Sequence, residues 1–97
     1  MTRDINLRYV DETYDENGLL KTYKVHYPDD FNFAYDIVDD IAINDPDRRA
    51  LQWCDDRGHE KCFTFADIKK YSNMTANYFK SLGIGKGDKV VLVLKRH

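Results

Sequence analysis

The run Gly83-Ile84-Gly85-Lys86-Gly87-Asp88 combines three glycines with a lysine, the residue types that cradle and neutralise a phosphate. The familiar phosphate loops follow a strand and open a helix, so that free amides and the helix dipole face the anion. Here a helical pattern precedes the run and a strand pattern follows it, and no Ser or Thr comes after Lys86 to hold magnesium. The glycines therefore read as a helix stop and a tight turn. Asp39-Asp40 and Asp55-Asp56 have the composition of an acid/base pair or a cation site. Adjacent acids on a helix or in a turn read first as a solvated face.

The remaining reactive residues are few. Cys54 and Cys62 are too few for a disulfide framework or a four-thiolate zinc site, and they flank a turn centred on Gly58. They read as free, partly buried thiols. His26, His59 and His97 lack the close pairing of zinc signatures and read as surface residues. The only serines, Ser72 and Ser81, fall inside a predicted helix, so no nucleophile–base arrangement can be drawn. Asn73-Met74-Thr75 matches a glycosylation acceptor but lies in the same helix. Composition and spacing assign no catalytic, cofactor-binding or metal-binding residue.

The elements that would position such groups are easier to read. Residues 1–30 are acidic and rich in tyrosine, with Tyr9, Tyr14, Tyr23 and Tyr27 among six Asp and Glu residues between positions 11 and 30. Asp15-Glu16-Asn17-Gly18 is a turn pattern, and Tyr23, Val25 and Tyr27 alternate with polar residues as in a half-buried strand that Pro28 stops. With few aliphatic residues, this stretch is expected to be an arm lying on something larger; the alternative is a frayed tail. A first helix is capped by Asn32, carries Ala34, Ile37, Val38, Ile41 and Ala42 on one face, and ends at Asn44-Asp45-Pro46. A hairpin follows, with strands over 50–54 and 60–64, Leu51 and Trp53 on its buried face. Thr64 and Asp67 form a capping-box pattern for a helix over 64–82, with Phe65, Ile68, Ser72, Ala76, Phe79 and Leu82 inward and Gly83 as the stop.

Lys89-Val90-Val91-Leu92-Val93-Leu94 reads as a strand apolar on both faces, which must be covered on both faces, as in a parallel α/β sheet. The expected fold class is therefore α/β, or α+β for the isolated chain. With the chain ending at Lys95-Arg96-His97 just after this strand, the rest of the sheet is expected downstream. Residues 1–30 form an arm and 31–97 the beginning of an incomplete domain.

Ninety-seven residues suffice for one domain, and 42% hydrophobic with 33% charged residues is a globular composition. The formal charge of −2 argues against nucleic acid or an anionic membrane as partner. No apolar run approaches the ~20 residues of a membrane span. Residues 1–6 lack the apolar segment of a secretion signal, and the expected compartment is the cytoplasm.

From Phe31 to the end, the chain resembles the start of the acyl-CoA synthetases, members of the adenylate-forming (AMP-binding) superfamily. The residues that carry the likeness are Phe31-Asn32-Phe33-Ala34-Tyr35-Asp36, Arg49-Ala50-Leu51-Gln52-Trp53 and Phe63-Thr64-Phe65-Ala66-Asp67-Ile68. The segment Ser72-Asn73-Met74-Thr75-Ala76-Asn77-Tyr78-Phe79 adds to it, as does Leu82-Gly83-Ile84-Gly85-Lys86-Gly87-Asp88-Lys89-Val90 running into Val91-Leu92-Val93-Leu94. Phe31-Asn32-Phe33-Ala34 together with Leu94-Lys95-Arg96-His97 is similar to the medium-chain and acetyl-CoA synthetase-like branch. The resemblance implies a much longer parent enzyme with a large N-terminal and a small mobile C-terminal domain. Such enzymes use ATP and magnesium to turn a carboxylic acid into an acyl-adenylate, then pass the acyl group to coenzyme A.

The family's phosphate loop and its C-terminal-domain lysine have no match in this sequence, so the matched residues are expected to be scaffold and the chain alone inactive. Two alternatives remain open at this stage. One is a complete small α+β interaction module without catalysis; the other is the start of an adenylation domain that loads a carrier protein. An exposed sheet edge at 90–94 is expected to promote self-association.

Overall fold

The structure is a computed structural model that describes residues 7–95. The leader reading placed on residues 1–6 and the readings placed on 96–97 fall outside the described residues. Two antiparallel hairpins and two helical stretches give an α+β architecture, as expected for the isolated chain. The chain divides into two units, one up to Ile37 and one from Val38 onward.

The first unit is built around a turn that one aspartate closes. The Asp15 carboxylate accepts from the amides of Asn17 and Leu19, both at 2.9 Å, and Gly18 takes a φ of +76° that a side chain would resist. The turn joins β1 (Val10–Tyr14) to β2 (Leu20–Val25), with Lys21 bulged out of the register. Asp11 stands opposite Lys24, the Thr13 and Thr22 hydroxyls hydrogen-bond, and Tyr14 Oη donates to the Glu12 carboxylate. The strand expected around Tyr23 is present but stops at Val25; its partner β1 was not anticipated. Both faces of β1 are largely exposed, so no apolar alternation marks it. Beyond β2, the amide of His26 donates to the Tyr9 carbonyl at 2.9 Å, and the Tyr9 and Phe31 rings meet edge-on at 4.9 Å. Among its described residues none is buried.

The first helix begins on Asn32, as expected: its side chain accepts from the amides of Ala34 (3.0 Å) and Tyr35 (3.3 Å), and its own amide donates to Asp36 at 2.7 Å. The sequence spacing gives an α-helix, but Ala34–Asp39 winds as a wider π-helix before narrowing to α1 (Asp40–Asn44). Ile41 and Ala42, two of the predicted apolar positions, are the buried residues of the described chain. The helix ends before Pro46, with the Asp45 amide still donating to Ile41 at 2.7 Å.

In the second unit β3 (Arg49–Cys54) pairs with β4 (Glu60–Thr64), and α2 (Phe65–Ser81) follows without a loop. The capping box is as read: Thr64 Oγ1 accepts from the Asp67 amide at 3.2 Å while Asp67 accepts from the Thr64 amide at 3.0 Å. At the far end Gly83 has φ +80°; its amide reaches Lys80 O (3.0 Å) and that of Ile84 reaches Phe79 O (3.1 Å). These two bonds satisfy carbonyls that the helix leaves open.

Three burial expectations are corrected. Leu51 is 52% exposed and only Trp53 of that pair is half-buried, because a single helix covers part of the hairpin. Of the predicted inward stripe, Phe65, Ile68 and Phe79 are half-buried, whereas Ser72, Ala76 and Leu82 are exposed. Residues 89–94 form no strand, and 90–94 are 46–90% exposed. A strand is a hydrogen-bonded ladder, and among the described residues none runs beside this segment to complete one. The parallel sheet read from its composition is therefore not formed by these residues.

Candidate functional site

The glycine run is where the sequence comes nearest to a binding loop, and its geometry follows from the helix stop. After Gly83 turns the chain off α2, the Gly85 amide donates to the Asp88 carboxylate at 2.7 Å and the Asp88 amide returns to the Gly85 carbonyl at 3.1 Å. The loop thus points one of its amides at an acid of its own, which repels a second anion. The helix stop and tight turn read from the sequence are both present.

Asp55 organises the second hairpin turn. Its Oδ1 accepts from the amides of Arg57 (3.0 Å) and His59 (2.8 Å), and its Oδ2 lies 2.7 Å from His59 Nδ1. The histidine ring holds the Asp55 carboxyl below its ordinary range; desolvation is the next effect and opposes it, and the amides of His59 and Arg57 add to the lowering. Asp67 is also lowered, chiefly by the Thr64 amide that it caps. His59 is exposed, as expected, but it belongs to the turn's bonding and not to a nucleophile. Asp56 is exposed beside it, while Asp39 and Asp40 are half-buried where the π turn passes into α1, less solvated than the sequence suggested.

Cys54 and Cys62 are free, as read, but exposed and not partly buried. Cys54 faces Glu60 and Cys62 faces Gln52, so the thiols are diagonal neighbours and not opposite each other. Ser72 and Ser81 both lie in α2; Ser81 Oγ donates to the Tyr78 carbonyl at 2.6 Å. Among the described residues no three His, Cys, Asp or Glu side chains gather as a metal site.

One feature was missed in the sequence. A cavity of about 200 Å³ in the first unit is lined by Tyr9, Val10, Val25, Tyr27, Phe31, Phe33 and Ile37. The tyrosine-rich composition was its visible signal, but the contact between Tyr9 and Phe31 depends on β1, which the pattern hid. A further apolar surface lies in the second unit, on residues 90–94 and along α2 to its C-cap Leu82, where Tyr71, Met74, Tyr78 and Leu82 are 49–60% exposed.

No protein-family model matches the chain. Over 90 residues it is 29% identical to the mitochondrial acyl-coenzyme A synthetase ACSM4 of Rattus norvegicus, covering 87% of this chain and 16% of that protein. Over 85 residues it is 30% identical to the mitochondrial acyl-coenzyme A synthetase ACSM3 of Homo sapiens, covering 81% and 14%. Over 57 residues it is 38% identical to the acetyl-coenzyme A synthetase of Gemmatimonas aurantiaca, covering 57% and 9%. The chain spans about one sixth of the length of the first of these relatives, 16%. Over most of its own length the chain is thus similar to a short part of acyl-coenzyme A synthetases.

Proposed function

We propose that this chain is part of the large N-terminal domain of an AMP-forming acyl-coenzyme A ligase, in the medium-chain and acetyl-CoA synthetase-like branch. The observation that carries this is the similarity to synthetases over 87% of the chain and 16% of the relative. The exposure of 90–94 supports it, since five consecutive apolar residues in water are a surface built to be covered. The parent reaction joins a carboxylic acid to AMP from ATP, releasing pyrophosphate, and then moves the acyl group to the coenzyme A thiol.

The described residues do not fit the groups this reaction needs. The loop amide of Gly85 is engaged by Asp88, and no acidic or histidine cluster fits magnesium. The chain's part is that of scaffold: a capped helix and an apolar segment that belong to the sheet supporting the site elsewhere.

Acid-dependent exchange of pyrophosphate into ATP tests the reading. The 97-residue chain is expected to be silent and the product of the complete reading frame active. A silent complete product, or a stop codon directly after His97, overturns the ligase in favour of a small interaction module. Left alone, the chain is expected to self-associate through 90–94, and sedimentation as a pure monomer at high concentration contradicts that. No helix among the described residues is long and apolar enough to cross a membrane. The compartment that goes with this reading is the cytoplasm, although two of the relatives are named mitochondrial. Recovery of the tagged protein in mitochondria overturns that placement.

A further inference from the structure

We draw no further inference here: the strongest candidate, the aromatic cavity of the first unit beside the Tyr9–Phe31 ring pair, is an apolar hollow, and nothing in the structure shows what covers it.

Discussion

The two hairpins of this chain turn in the same way and are covered differently. Asp15 and Asp55 each start a turn in which one carboxylate oxygen accepts from the amides two and four residues on, and Gly18 and Gly58 each supply a positive φ three residues on. In both, the aspartate amide donates back across the turn, Asp15 to Leu19 at 2.9 Å and Asp55 to His59 at 3.0 Å. The difference lies outside the turn. The second hairpin passes straight into the capped, seventeen-residue α2, which packs on both of its strands. The first continues through Pro28 to an aromatic cluster, and none of its strand residues except Val10 is even half-buried. A turn is thus a local property set by an aspartate and a glycine at fixed spacing, whereas burial depends on what the following segment brings back.

That contrast is sharpest in the response to core truncation. Ile41→Ala in the second unit, where Ile41 is only 8% exposed, is expected to cost about 3 kcal/mol, and Phe31→Ala in the first about half as much. Trp53, the single tryptophan, lies in the second unit, so the urea midpoint of its fluorescence reports Ile41→Ala directly. A loss under about 1 kcal/mol means that the second unit has no more core than the first.

Next in size are the turn glycines. Nothing lies within 4 Å of a Cβ built on Gly18 or Gly58, so any cost of adding one is conformational. Gly18→Ala and Gly58→Ala are each expected to lose about 1–2 kcal/mol. Tryptophan fluorescence reads the second and amide exchange at Leu19 the first. Clearly unequal losses break the claim that the two turns are one device. The caps extend the comparison: Thr64→Ala is expected to cost about 1 kcal/mol and Asn32→Ala a similar amount, with Thr64→Ser close to the parent.

What was legible in the sequence divides along the same line. The second hairpin, the Thr64–Asp67 box, the Asn32 cap and the stop at Gly83 are written in residues within four positions of one another. Their sterics and hydrogen bonds act at that range. The paired turns carry a local signal too, Asp-x-x-Gly at 15–18 and 55–58, and reading it twice predicts the first hairpin. The π winding of Ala34–Asp39 was not visible, because the apolar positions suit an α-helix equally well. Residues 89–94 show the other limit. Their β-branched, two-sided apolar pattern states what the segment wants, and a ladder forms only with a partner strand beside it. In the candidate sites, the order of helix, glycine run and apolar segment reads as a helix stop followed by a tight turn, and both are present. The aromatic cavity joins residues on both sides of the first hairpin and had no such local mark.

The smallest effect expected is one of pH. The Asp55 carboxyl is held below its ordinary value of 3.8, chiefly by His59, and Asp67 by Thr64. A carboxyl whose folded value is lowered adds stability that is fully present above the unfolded value and is lost as pH falls through the folded one. The second unit should accordingly keep this contribution at neutral pH and surrender it only below about pH 4. His59→Ala removes the largest cause and leaves the two backbone amides in place. The Asp55 titration, followed by carboxyl NMR, is then expected to move up, and the acid loss to begin at a higher pH. An unchanged midpoint shows that the amides alone set the acidity. The His59 ring is then an ornament on the second turn, and the two turns are more alike than their side chains suggest.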